Sequence, residues 1–283
     1  MIKIGVQKGG RLSEKSLEVL KKCGIKLSSG TSKLKAVSSN FPLEVLFLRD
    51  DDIPEYVEKG VVHIGIVGEN VLRETGANAK VLKGLGFGKC SLSLALPRGV
   101  EYNGVEWFNG KSIATSYPNI LNEELGKRGV KAEVFDISGS VEVAPSLGVA
   151  DGVFDIVSTG STLTLNGLKE VEKLCKSEAV LVANENLTEL EQDILEQLMF
   201  RMDSVDRAAQ NQYILLNIEN TKLDEVCDLL PGLNSPSVMP LAKEGWSCVH
   251  SVISEPEFWD IIKDLKSAGA EGIITIPIDK MFN

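Results

Sequence analysis

Residues 155–163 read DIVSTGSTL. An apolar run ends at Val157 and gives way to Ser158, Thr159, Gly160, Ser161 and Thr162, followed by Leu163. A strand that stops before clustered hydroxyls and a glycine predicts a strand–loop–helix turn. Such a turn aims backbone N–H groups and hydroxyls at one point, so it can hold an anion without a basic side chain. Gly160 permits close backbone approach or a positive φ. Asp155, at the end of the strand, is suited to accept ribose hydroxyls or to help bind Mg2+, a cation that takes oxygen ligands. The same Ser and Thr residues would equally serve as caps of the next helix, and the loop alone leaves both readings open.

Five other segments repeat the pattern of polar groups just past an apolar run. VQKGGR places Lys8, Gly10 and Arg11 on a Gly-rich turn, where a cation pair suits phosphate. FLRDDDIP offers Arg49, whose guanidinium matches a pyrophosphate, beside Asp50. IVGEN presents Gly68 and Glu69, ATSYPN presents Ser116 and Tyr117, and SGSVEVAP presents Ser138 to Glu142. Each segment alone is compatible with a solvated turn. Their shared position is the stronger observation, because polar groups gathered at strand C-termini line a ligand cleft in open α/β sheets. GLGFGK, from Gly84 to Lys89, lacks the spacing of a nucleotide loop and precedes a strand, so it reads as a turn or hinge between lobes.

The elements that must position these residues follow from periodicity. IKIGV, LEVLFLR and VHIGIVG are short β-branched strands. They alternate with helical patterns such as Leu12 to Gly24, in which Leu17, Leu20 and Cys23 share a face. A second βα block runs from about Lys111 to Cys175, with a helix expected near VEVAPSLG. This rhythm predicts an α/β fold of mostly parallel sheets. The expected division is residues 1–96 with 176–210 as one catalytic lobe and 97–175 as a second lobe carrying the loop. A long helix from about Leu187 to Gln210 leads to residues 212–283. Those read βαββαβ, a ferredoxin-like domain.

Composition bounds the function. The chain has 283 residues, enough for two or three domains, and a formal net charge of −10. An acidic chain lacks the electrostatic footprint of a nucleic-acid binder. Its five cysteines form no C-x-x-C pair, and its two histidines, His63 and His250, lie in apolar or alternating strands, so neither a zinc site nor a Ser-His-Asp triad is indicated. No secretory signal or bilayer-length apolar run is present, and the expected location is cytoplasmic, with no membrane contact.

The segments QKGGRL, RDDDIP, GIVGENVL, ATSYPN, GSVEVAP, DIVSTGSTLTLNGL and PIDKM, in this order, resemble the long form of ATP phosphoribosyltransferase over essentially the whole chain. The resemblance implies a fold of two lobes like those of periplasmic binding proteins, with a C-terminal regulatory domain. It implies transfer of phosphoribosyl from 5-phosphoribosyl 1-pyrophosphate (PRPP) to N1 of the adenine of ATP, the first step of histidine biosynthesis, with Mg2+ as cofactor. Ser158, Thr159, Gly160, Ser161, Thr162 and Leu163 would hold the 5-phosphate of PRPP. Glu142 and Asp155 would serve the ribose hydroxyls, with Asp155 also a metal ligand. Lys8, Arg11 and Arg49 would face the pyrophosphate and triphosphate. Gly10, Asp50, Glu69, Ser116 and Tyr117 would lie along ATP. Histidine would act as inhibitor through Asn217, Pro236 and Ser237, in a homo-oligomer from dimer to hexamer. The spacing of Asp151 and Asp155 departs from the adjacent acids of the wider phosphoribosyltransferases. The rival reading is a non-catalytic binding module for a phosphorylated metabolite.

Overall fold

The computed structural model describes residues 1–29, 34–158, 160–230 and 235–282. These form two compact units, one of residues 1–21 and 25–194, the other of 22–24 and 195–283.

The first unit contains two sheets. In chain order it begins with β1 (Ile2–Gln7), α1 (Gly10–Lys22), β2 (Leu27–Ser29), β3 (Lys35–Ser38) and β4 (Leu43–Leu48). A 3-10 turn at Asp50–Asp52 leads into α2 (Ile53–Glu58). Then come β5 (Ile64–Gly68), α3 (Glu69–Thr75) and β6 (Lys80–Gly84). The chain crosses to β7 (Cys90–Pro97), β8 (Ser112–Thr115), α4 (Pro118–Lys127), β9 (Glu133–Asp136), β10 (Gly152–Val157), α5 (Ser161–Leu165) and β11 (Leu168–Ser177). It then returns through β12 (Ala179–Ala183) and enters α6 (Glu189–Ala209). The first sheet has the order β2-β3-β4-β1-β5-β12-β6, and the second β11-β7-β10-β8-β9.

Local chemistry explains several boundaries. Ile64 to Val67 are all buried, as expected of a central strand covered on both faces. Pro54 opens α2, where the missing N–H costs nothing. Gly76, with φ of 65°, ends α3 in the left-handed conformation that other residues resist. Phe108, Phe154, Leu94 and Ile113 fill the core of the second sheet.

Two expectations need correction, and two edge strands add to the reading. β7, assigned to the first lobe by a boundary at residue 96, pairs with β10 and β11 in the second sheet. The alternating pattern identifies a strand but not its partner, and the changeover falls in the GLGFGK turn. The helix expected near VEVAPSLG is a single 3-10 turn at Val141–Val143, because Pro145 and Gly148 prevent its extension. The edge strands β6 and β11 were not anticipated in full. Their lysines and glutamates obscure the apolar alternation while protecting a sheet edge.

The second unit contains β13 (Asn211–Glu219), α7 (Leu223–Leu229), β14 (Ser237–Pro240), β15 (Trp246–Ser254), α8 (Glu255–Ser267) and β16 (Glu271–Pro277). This is the expected βαββαβ order, in an antiparallel sheet β14-β15-β13-β16. Alternate residues of β15 are buried, so one sheet face carries the core of Ile214, Leu216, Val249 and Leu265. A reciprocal capping box between Ser254 and Glu257 starts α8.

Candidate active site

Strand direction decides where the polar residues meet. β1, β4 and β5 are parallel, so Lys8, Arg49 and Glu69 emerge at one end of the first sheet. The Lys8 N–H donates to Leu48 O at 2.7 Å, joining the first two exits. β8, β9 and β10 are likewise parallel, which brings Ser116, Ser138 and Ser158 to one end of the second. β7 starts and β11 finishes at that same end, with Val157 opposite Ser91 and Ser177 opposite Cys90. Glu178 O accepts the Glu69 N–H at 2.9 Å, so the crossing segment meets the rim of the first sheet there.

Two cavities lie along this junction. The larger, about 710 Å³, is lined by Ser158, Gly160, Glu69, Ser91, Lys173 and Lys176 among others. The second, about 570 Å³, is lined by Arg49, Asp51, Glu74, Ser116, Tyr117 and Ser138 among others. Glu69, grouped with ATP in the sequence reading, therefore borders the cavity of the hydroxyl loop. Lys8, Gly10 and Arg11 stand exposed at the end of β1, with Gly10 at φ of 85°.

Gly160 is the N-cap of α5 with φ of 72°, so the cap residue itself contributes no side chain. Ser158, Ser161 and Thr162 are exposed, whereas the Leu163 side chain is buried in the core with Val157 and Leu168. Leu163 can offer a ligand only its backbone. Thr159 lies outside the described residues.

Asp155 is held above the ordinary carboxylate range, first by burial and then by the charge of Glu142, against the opposing hydrogen bond from the Ile156 N–H at 2.7 Å. The two carboxylates are thus electrostatic neighbours. Ser140, two residues before Glu142, has φ of 52°. A left-handed conformation at a residue with a Cβ is strained, and here it redirects the chain into the turn carrying Glu142. The Tyr117 phenol is pushed up by burial first and by Asp155 second. Its oxygen accepts Asn70 Nδ2–H at 3.1 Å. Ser116 has a structural task, since its hydroxyl donates to Ile137 O at 2.7 Å and anchors the turn after β9. Asp51 is raised by burial and by Asp50, while Arg49 approaches it at 4.0 Å in the opposite sense.

Ser91, Lys173, Lys176, Ser177 and Glu178 border the larger cavity without standing out in the sequence, and Lys89, read there as part of a hinge, joins them. The signal was present in the alternating charges of KEVEKLCKS, but only pairing with β7 shows where the strand ends. His63 is the satisfied residue expected: Nδ1 accepts the Lys3 N–H at 2.7 Å, and Nε2 meets Glu191 at 2.9 Å. His250 is less bland than expected. It contacts Tyr213 through Nδ1, while its buried Nε2 has no partner among the described residues. Asn217 and Ser237 lie opposite Cys248 and His250, which places all four on the sheet face turned away from the helices. Pro236 immediately precedes β14.

The family model for ATP phosphoribosyltransferase matches residues 49–204, and a model of the C-terminal domain of the same proteins matches residues 208–280. An ATP phosphoribosyltransferase of Bacteroides fragilis is 54% identical over 281 residues, covering 99% of each chain. One of Cytophaga hutchinsonii is 53% identical over 99% of this chain and 98% of its own. The chain belongs to the ATP phosphoribosyltransferase family. A solved complex containing ATP phosphoribosyl transferase from Thermotoga maritima has a TM-score of 0.62 and 27% identity, covering 72% of this chain and 96% of that one. Membership makes the protein a transferase of the first step of histidine biosynthesis, with ATP and PRPP as its substrates. Among the described residues, no helix is long and apolar enough to cross a membrane.

Proposed function

We propose that the junction of the two sheets binds PRPP and ATP side by side, and that the adenine N1 displaces pyrophosphate from C1 of PRPP with inversion. The observation that supports this reading is the meeting of strand C-termini at two cavities, one lined by Ser158, Gly160, Lys173 and Lys176, the other by Arg49, Ser116 and Tyr117; Lys8, Arg11, Glu142 and Asp155 line neither and are assigned from their places at the strand ends. Ser158 and the amides around Gly160 hold the 5-phosphate. Asp155 and Glu142 accept the ribose hydroxyls, and their negative charge favours the positive character that develops on the ring. Lys8, Arg11 and Arg49 stabilise the departing pyrophosphate and the triphosphate. Tyr117 borders the nucleotide, with Gly10 and Asp50 as further proposed contacts, whereas Glu69 serves the PRPP side. Little covalent work falls to the protein, so catalysis is positioning plus electrostatic stabilisation.

Asp155 and Glu142 also fit Mg2+. Two neighbouring carboxylates, one raised by burial and by the other's charge, form the kind of hard-oxygen pair that a divalent cation would relieve. Among the described residues no three His, Cys, Asp or Glu side chains gather into a metal cage. That suits a cation taking most of its ligands from water and phosphate. When bound, Mg2+ would neutralise charge on the pyrophosphate.

The second unit is proposed to bind histidine and lower the catalytic rate, within an oligomer from dimer to hexamer. Asn217, Pro236 and Ser237 are the proposed contacts. Support comes from the buried, unpartnered His250 Nε2 on the same sheet face, and from exposed Met239, Ile274 and Ile276, which offer apolar area for assembly. The chain operates in the cytoplasm.

Mixing the protein with ATP, PRPP and Mg2+ and following the absorbance of phosphoribosyl-ATP tests the reaction. No product in the complete mixture would favour the binding-module reading. Added histidine should slow the full-length protein and leave Asn217→Ala less sensitive. Light scattering measures the assembly.

A further inference from the structure

Asn70, Arg73 and Glu74 of α3 are spaced i, i+3 and i+4, and therefore share one helical face. That face is bound across the junction to the second sheet and its first helix. Asn70, only 5% exposed, donates its backbone N–H to Ser177 Oγ at 3.0 Å and accepts the Ser177 hydroxyl on Oδ1 at 2.8 Å. Its Nδ2 donates to the Tyr117 oxygen at 3.1 Å. Glu74 accepts the backbone N–H groups of Asn119 at 2.9 Å and Ile120 at 3.0 Å, in the first turn of α4. The Asn119 amide donates to Glu74 O at 2.9 Å. Arg73 donates to Glu123 at 3.1 Å and Glu124 at 3.2 Å, further along α4.

We propose that this face of α3 is a positioning device for the nucleotide, holding Tyr117 by its hydroxyl through Asn70 and by the helix that starts directly after it through Glu74. The inference rests on the reading of Tyr117 as part of the nucleotide site. Two consequences follow. The Glu74 carboxylate fills the N-terminus of α4, a place otherwise open to a phosphate, so the triphosphate is turned toward Arg49 in the same cavity. Because every bond spans the two sheets, the orientation of Tyr117 is coupled to their separation. Gly68 is part of the arrangement, since a methyl group there would come within 2.5 Å of Asn70 Oδ1.

Steady-state kinetics of the full-length protein test this with Glu74→Ala, Glu74→Gln and Tyr117→Ala. Glu74→Ala should raise KM for ATP about tenfold, the scale of a lost helix cap, with KM for PRPP and kcat within about twofold. Glu74→Gln keeps one acceptor oxygen and similar volume, so it should fold and recover part of the loss. Equal rises in both KM values, or no change in either, would overturn the device. Tyr117→Ala separates the two levels. If it leaves KM for ATP unchanged, the placement of Tyr117 at the nucleotide fails and the inference with it. If Tyr117→Ala raises KM for ATP while neither Glu74 variant does, only the positioning role is lost.

Discussion

The two strand-end rims of the first unit differ in the groups they offer a ligand. The rim of the first sheet carries the proposed pyrophosphate and triphosphate contacts Lys8, Arg11 and Arg49, whereas the second carries the proposed PRPP contacts Ser158, Gly160, Glu142 and Asp155. One side is suited to negative charge that moves and leaves. The other is suited to a fixed phosphate and a ribose whose ring becomes positive. The proposed reaction uses both, and the separation of charge is incomplete: Asp50 and Glu69 stand with the cations of the first sheet, while Lys173 and Lys176 of the second sheet border the loop. The contrast extends to rigidity. Lys8, Arg11 and Arg49 are exposed, while Asp155 is half-buried beside Glu142 and Tyr117.

The sharpest way to break this comparison is to remove a cation. Arg49→Ala and Arg11→Ala should each lower kcat/KM by about 10²–10³-fold with an unchanged circular dichroism spectrum, the scale of losing one transition-state charge contact. Near wild-type rates in both would dissolve the cationic rim. On the opposite side, Gly160→Val should weaken PRPP binding by about 10- to 100-fold in calorimetry, because a β-branched residue resists φ of 72° and would displace the loop. Unchanged affinity would remove the loop from the site.

A buried charge away from both rims calibrates what stability alone does. Glu124 is opposed by its burial, but hydrogen bonds from Arg128, Lys127 and Arg73 hold its pKa down to about 2. Its folded-state pKa is depressed, so its stabilisation is present above the unfolded carboxylate pKa and is lost as pH falls toward 2. Glu124→Gln should cost about 2–3 kcal/mol at neutral pH, and the difference from wild type should shrink in thermal melts toward pH 2. A constant difference across that range would contradict the ion-pair account.

Asp155 should behave with the opposite sign. Its pKa is raised by burial and by Glu142, so folding favours the protonated form and stability declines as pH rises through the folded pKa. Asp155→Asn should therefore melt higher than wild type at neutral pH while losing activity. The smallest effect expected is a shift of the acid limb of the kcat/KM profile for PRPP to lower pH in Glu142→Gln, whose residual activity reports the relief of repulsion. An unmoved limb would show that the charge of Glu142 does not raise Asp155.

Much of this was legible in the chain. The βα alternation announced parallel sheets, and βαββαβ announced the second unit, because side-chain periodicity is a local property. The polar groups at strand ends were legible as well, since the residue types that bind phosphate are few. Pairing was not. β7 reads as a strand anywhere, and only its register against β10 and β11 moves it to the second sheet. Lys173 and Lys176 were hidden for the same reason, as their strand gains meaning only beside the loop it borders.

Glu74 marks the same limit from the other side. In GENVLRET it reads as an ordinary helical glutamate; in the folded chain it caps a helix that begins more than forty residues later. The order of elements, the glycine that makes the loop and the chemistry of each rim are properties of neighbouring residues, and the sequence by itself determined them. Which carboxylates neighbour one another, which hydroxyls are consumed by structure, as in Ser116, and what fixes Tyr117 depend on distances between segments remote in the chain. Those distances exist only after the sheets have formed, and only the tertiary structure decided them.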